Sequence, residues 1–367
     1  MRMIDSSNNI HFDRTLSLPP IMKIVIANFG DPVNASLDYA ASWAAHVKPP
    51  GVTPPPLFDE PHDWGFHIYA LGCHLMNQGV ADDVEFWDFA EERSTKYHSN
   101  GTLRVMFHNA DDVQAYLDRY GYPDLYVNHG SGGQPILDLL ENRTFRVHVP
   151  ALRQGRDRLG NFGAECYLVD SEEFFDDRSM MYIPVVNTHA IYPTAAEKKW
   201  DFIYLAACYK GKRHDLLVRA ARESGLCGHL HPVDASELDL AGTRITTTRF
   251  NEADVADVLN ASRIAVYPGD KTSSPASMWE CVAAGLPIVV NENILGGKHL
   301  VVSGVTGELA SEDDFGEVMR HVVANRESYS PRKYFETQWD TVDILESYVQ
   351  FFQRMGWRAS GSVVATA

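Results

Sequence analysis

Ser274-Pro-Ala-Ser-Met-Trp-Glu280-Cys-Val-Ala-Ala-Gly285-Leu-Pro-Ile-Val-Val290-Asn291 decides the reading of this chain. Ser274 suits a helix cap, Pro275 suits the first helical position where its missing N–H costs nothing, and Gly285 suits the end. Upstream, Arg263-Ile-Ala-Val-Tyr267-Pro-Gly269 is a β-branched run that stops at a turn pair. The unit is therefore strand, loop, helix, strand, a parallel βαβ crossover. Ligands of such sheets sit beyond the carboxyl ends of the strands, where free N–H groups at a helix start attract phosphate. Helical side chains lean toward the helix start, so Glu280 directs its carboxylate back toward a ligand held there. A carboxylate accepts two hydrogen bonds at once and matches the vicinal hydroxyls of a ribose. With Met278, Trp279, Cys281 and Val282 around it, a glutamate at this place requires a partner.

The remainder of the chain extends the same alternation. Met22 to Gly30 reads as a first strand. Short strands follow at Val84–Phe86, Leu125–Val127, Thr144–Val149, Cys166–Val169 and Met181–Ile183, with a helix over Asp111–Tyr120. Ile68, Leu71, Gly72 and Leu75 recur at helical spacing behind a Pro-rich stretch from Lys48 to Pro61, which suits either a lid or a surface insertion. A second alternating set runs from Phe202–Ala206 through helices at Asp215–Ala221 and Glu252–Asn260. Amphipathic helices follow around Phe315–Val322 and Val342–Phe352. The expected organisation is a tail over 1–21, one Rossmann-like domain over 22–190, a second over 191–336, a crossing helix over 337–358 and a tail over 359–367.

Composition narrows the function. The 367 residues carry a formal charge of −17, which repels nucleic acid backbones and anionic lipid. No run reaches the roughly 20 apolar residues of a membrane span, and Met1 to Pro20 has no apolar signal-peptide core. A cytoplasmic protein is expected, with no nucleic acid polymer as partner and no membrane docking helix. Cys73, Cys166, Cys208, Cys227 and Cys281 are odd in number and lack metal spacing, so reduced thiols are expected.

The segment Glu280-Cys-Val-Ala-Ala-Gly-Leu-Pro-Ile-Val resembles the motif Glu-Ala-x-Ala-x-Gly-x-Pro-Val-Val of glycosyltransferase family 4, retaining enzymes of the GT-B fold. The likeness covers about Asp201 to Gly307 and extends more faintly back to Lys23. It implies an α/β protein of two Rossmann-like domains facing across a cleft, with the last helix crossing back to the first. It also implies sugar transfer from a nucleotide-sugar to an acceptor hydroxyl, with anomeric retention, no metal and no cofactor beyond the co-substrate. The acceptor would be a carbohydrate or small molecule.

By that resemblance Glu280 binds the nucleotide ribose. The family's other glutamate, eight positions earlier, falls on Thr272, a departure that changes the contacts to the donor sugar. Thr272, Ser273, Ser274, Pro275 and Ala276 then frame the sugar and phosphate. The basic knot Tyr209-Lys210-Gly-Lys212-Arg213-His214-Asp215-Leu216-Leu217 places the family lysine at Lys212, against the departing phosphate. The matching arginine is missing, since Ala207 falls there, and Lys210 or Arg213 is left to supply a second charge. Arg249-Phe250 matches the nucleobase position, and Gly65 the glycine loop after the first strand. His129 matches a first-domain histidine near the donor sugar, where it orients a hydroxyl or shares developing charge. Two rivals remain: a nucleotide-sugar epimerase on the same fold, and a binding protein that has lost transfer.

Overall fold

A computed structural model of the chain describes residues 22–27, 66–78, 80–81, 83–89, 95–99, 102–107, 109–129, 134–149, 163–171, 174–186, 188, 190–206, 210–231, 238–247, 255–270, 275–339 and 341–358. Two sheets organise them. The first contains β1 (Lys23–Ala27), β2 (Asp83–Phe89), β3 (Thr95–Ser99), β4 (Thr102–Phe107), β5 (Leu125–His129), β6 (Phe145–Val149), β7 (Cys166–Val169) and β8 (Ser179–Met181), in the order β3-β4-β2-β1-β5-β6-β7-β8. Every pairing in it is parallel except β3 with β4. The second contains β9 (Trp200–Leu205), β10 (Cys227–His231), β11 (Arg244–Thr247), β12 (Ser262–Tyr267), β13 (Ile288–Asn291) and β14 (Gly307–Ala310), all parallel in the order β11-β10-β9-β12-β13-β14.

In both sheets the order of strand addition reverses beside the first strand. In the first sheet the reversal lies between β1 and β5, and in the second between β9 and β12. Crossovers leave to opposite faces at such a point and open a crevice beyond the strand ends.

Helices α1 (Phe66–Asn77), α2 (Ala110–Tyr120) and α3 (Gln134–Leu139) cover the first sheet. Its central strand β1 is apolar on both faces after Lys23, as a strand covered on both sides requires. Ile24 and Ile26 pack with Leu71 and Leu75 of α1, whereas Val25 and Ala27 pack with Val113 and Leu117 of α2. Asn109 caps α2 by accepting from the Asp112 N–H at 3.0 Å. Helices α4 (His214–Ser224), α5 (Val255–Asn260), α6 (Ala276–Ala283), α7 (Phe315–Ala324) and α8 (Pro331–Gln338) belong to the second unit. The last helix, α9 (Thr341–Arg354), returns to the first sheet. Ile344, Leu345, Tyr348, Phe351 and Phe352 join the core around Met22 and Ile24. The Tyr348 hydroxyl also takes the Ile183 N–H at 2.5 Å and donates to the Ile183 carbonyl at 2.7 Å.

Cys166–Val169 forms a strand as expected, the strands expected at Leu125–Val127, Thr144–Val149 and Met181–Ile183 shift by one or two residues, Val84–Phe86 lengthens to Asp83–Phe89, and the Asp111–Tyr120 helix gains Ala110 at its start. The deciding helix starts at Ala276, with Pro275 as its cap at φ −67° and ψ 135°. The fixed ring angle is compatible with that extended conformation, so Pro275 takes the cap position expected of Ser274 and stands one place before the first helical residue instead of at it. Gly285, at φ 80°, ends the helix as anticipated. Its N–H donates to Val282 and the Leu286 N–H to Cys281, the paired bonds of a left-handed helix stop. The β3–β4 hairpin, β14 and α8 stand outside the sequence reading. The two tails and Lys48 to Pro61 lie outside the described residues.

Gly228 on β10 marks a close side-chain contact in the second core. A Cβ there would lie 2.0–2.4 Å from ring atoms of the fully buried Phe202. Gly228→Ala is expected to cost about 1–3 kcal/mol by overpacking. A lowered melting temperature checks this, and an unchanged one would show that the ring moves freely.

Candidate functional site

Helix α6 is fastened to the reversal point of the second sheet by its first turn. Ser277 Oγ donates to the carbonyl of Leu205, the last residue of β9, at 3.3 Å. The Tyr267 hydroxyl, at the end of β12, bonds Ser277 Oγ at 3.4 Å and Cys281 Sγ at 3.3 Å. The amino end of α6 therefore stands over the carboxyl ends of β9 and β12, the crevice that the strand order opens. Met278, Trp279, Cys281 and Val282 are all fully buried, and Trp279 is held edge-on by Trp339 at 5.0 Å. Glu280 is 6% exposed within this apolar wall. Burial pushes up the Cys281 thiol and the Tyr267 phenol, and the Glu280 charge adds to both shifts. The carboxylate thus acts on the groups that pin the helix to the strand ends.

The basic knot forms a short 3-10 turn, Lys210–Lys212, between β9 and α4. Lys210 is exposed and Lys212 half-buried. The Lys212 carbonyl accepts from the Tyr204 hydroxyl at 2.9 Å, which ties its backbone to β9. Arg213 adopts a left-handed conformation at φ 51° and ψ 47° and is taken up by carboxylates: Asp215 at 3.2 Å, Asp270 at 3.3 Å and Glu312 at 2.5 Å. His214 packs against Tyr204 with ring centroids 5.1 Å apart and planes tilted by 46°.

Burial, with the Lys212 charge adding, pushes the His214 imidazole down to about 4 from 6.5. The folded state therefore binds fewer protons than the unfolded chain between those values. Its contribution is complete above pH 6.5 and is lost as pH falls toward 4. His214→Gln is expected to flatten the fall in melting temperature across that window. Equal slopes for the two proteins would remove His214 as a source of acid sensitivity.

In the first unit His129 ends β5, at that sheet's own reversal point, and is half-buried. Its ring lies 6.0 Å from that of Tyr182, which stacks on Tyr348 at 6.4 Å and 14°. The preceding Asn128 is fully buried, with Nδ2 2.9 Å from His148 Nδ1. Just past β7, Ser171 Oγ donates to the carbonyl of Leu295, just past β13, at 2.8 Å. The carboxyl edges of the two sheets consequently meet, and His129 and Glu280 belong to the edges that face each other.

Pro275, Ala276, Glu280, Lys210, Lys212 and Arg213 thus gather at one sheet edge, with His129 on the opposing one. Thr272, Ser273, Ser274, Arg249, Phe250, Gly65 and Ala207 lie outside the described residues. Sequence reading missed Ser277, Tyr267, Asp270 and Glu312. Ser277 was legible as one helical turn before Glu280; the two acids are distant in sequence from the arginine that they hold. Among the described residues no group of three or more His, Cys, Asp or Glu could hold a metal ion. No described helix is long and apolar enough to cross a membrane. Cys166 and Cys281 are buried free thiols, and Cys227 is a half-buried one.

No protein-family profile matches the sequence, and no curated protein matches it either. Solved structures do match. Sucrose-phosphate synthase from Thermosynechococcus elongatus superposes with a TM-score of 0.69 at 14% identity, over 91% of this chain and 99% of that one. HepE from Anabaena, solved with UDP and glucose, gives 0.63 at 12% identity, over 91% and 100%. AviGT4, a glycosyltransferase of avilamycin A biosynthesis, gives 0.54 at 16% identity, over 91% and 98%. The fold is GT-B: two Rossmann-like units facing across a cleft, with the last helix crossing back.

Proposed function

We propose that this chain is a glycosyltransferase that moves a sugar from a nucleotide-sugar to an acceptor hydroxyl, with retention of anomeric configuration and without a metal. One observation carries the reading: Glu280 is buried on a helix whose first turn is bonded to the ends of β9 and β12 at the reversal of the sheet. A helix start at the strand ends suits a phosphate, and a buried carboxylate on that helix suits the ribose diol of the same nucleotide, which supports the reading. Lys212 stabilises the departing diphosphate, and the helix start shares that charge. His129, on the facing edge, orients a sugar hydroxyl. Retention without a protein nucleophile follows if the departing phosphate takes the acceptor proton on the face that it leaves. Thr272 and Ala207 replace two charged residues of the resembled family, and they favour one second reading, a nucleotide-sugar-binding protein without transfer. A cytoplasmic location and a carbohydrate or small-molecule acceptor accompany the proposal.

The test titrates UDP-, GDP- and ADP-glucose by calorimetry and follows release of the nucleoside diphosphate with sugar acceptors and with water. Turnover of one donor is expected, unaffected by EDTA, with the product anomer matching the donor by NMR. Tight binding without turnover would establish the second reading. Absence of binding by every donor would overturn both.

A further inference from the structure

The loop that carries Lys210 and Lys212 is fixed by the residue that follows it. Arg213 Nε meets Asp215 at 3.2 Å, Nη1 meets Asp270 at 3.3 Å and Glu312 at 2.5 Å, and Nη2 meets the other Glu312 oxygen at 2.9 Å. Asp215 belongs to the first turn of α4, Asp270 to the loop that leads from β12 toward α6, and Glu312 to the loop after β14. One guanidinium therefore joins three loops along the carboxyl edge of the second sheet. Arg219 strengthens the junction, its Nη2 donating to the Glu312 carbonyl at 3.0 Å. The left-handed backbone at Arg213 is one that a residue with a Cβ adopts only when its surroundings hold it there.

We propose that Arg213 is a positioning residue that sets Lys212 in register with the loop entering α6, and that it does not itself bind the donor phosphate. The inference rests on the reading of this edge as a nucleotide site. Three carboxylates already contact the Arg213 guanidinium, so its charge and its N–H donors are taken up before a diphosphate arrives. A phosphate would also have to displace Glu312 from a two-point grip, the geometry in which arginine and carboxylate pair best. Lysine offers a point charge in place of the planar fork and could not hold the three loops together.

UDP, GDP and ADP are first titrated into the unaltered protein by calorimetry, and the one that binds serves as probe for Arg213→Asn, Arg213→Lys and Glu312→Gln. Asparagine tolerates the left-handed backbone, and Glu312 is a third exposed, so melting temperatures within a few degrees of the parent are expected. Arg213→Asn is expected to weaken the probe about tenfold, Arg213→Lys nearly as much, and Glu312→Gln several-fold, because each loosens the same junction. Tighter binding by Glu312→Gln would overturn the proposal and show that the arginine is a phosphate ligand released by loss of its acid. Full affinity in Arg213→Lys would show that charge alone suffices, and full affinity in Arg213→Asn would remove the residue from the site; either result overturns the proposal. An unaltered protein that binds none of the three nucleotides would instead remove the nucleotide reading, and this inference with it.

Discussion

Glu280→Gln is expected to weaken nucleoside diphosphate binding by about ten- to a hundredfold while the melting temperature stays close to the parent's. The substitution keeps size and shape inside a wall formed by Met278, Trp279, Cys281 and Val282, so packing is retained. What changes is the hydrogen-bonding character: a charged acceptor of two hydroxyls becomes an amide with one acceptor oxygen and one donating nitrogen. Loss of a charge-assisted bond in a dry site is worth about 1.5–3 kcal/mol, which is the affinity change named. Calorimetry with the nucleotide and its 2′-deoxy form isolates the contact. The parent should lose affinity for the deoxy form and the variant should lose much less, because the two changes remove one interaction. Equal losses in both proteins would separate Glu280 from the ribose.

Lys212→Ala is expected to lower turnover about a hundredfold, equivalent to about 2.7 kcal/mol of transition-state stabilisation. Its effect on stability should be small. The bond that ties this residue to β9 runs from the Tyr204 hydroxyl to the Lys212 carbonyl, which alanine retains. The loss should fall on kcat more than on KM, since negative charge on the departing phosphate grows only as the bond to the sugar breaks. Steady-state kinetics with the active donor checks it. Turnover equal to the parent's would assign the charge to the exposed Lys210.

The fold was legible because its signals are local. Apolar runs such as Ile24 to Ala27 and Ile288 to Val290, each closed by polar or turn residues, announce buried strands whatever surrounds them. The final helix declared itself through Val342, Leu345, Tyr348, Val349 and Phe352. The structure buries Leu345, Tyr348 and Phe352 and leaves Val342 43% exposed at its start. The β3–β4 hairpin had a readable mark as well. Asn100-Gly101 stands between paired Ser99 and Thr102, the dipeptide that suits a two-residue hairpin loop. Polar residues on the short strand Thr95–Ser99 had hidden it.

The site was legible only in part. Glu280 stood out because an acid in an apolar stretch is costly and calls for a reason. Arg213 could not be separated from its lysine neighbours by sequence, because its three carboxylates reach it from positions 2, 57 and 99 residues away. A cation's role at a strand end depends on which acids the topology delivers there, and that is a property of the packed sheet. Ser277 and Tyr267 were likewise silent: a serine on a helix and a tyrosine on a strand are ordinary until the fold brings their hydroxyls together.

A structure of the protein with its bound nucleotide-sugar tests the central claim most directly. The account predicts the diphosphate at the start of α6 and both ribose hydroxyls within hydrogen-bond distance, about 2.6–3.2 Å, of the Glu280 carboxylate. A nucleotide seated elsewhere, or one whose ribose faces away from Glu280, would contradict it.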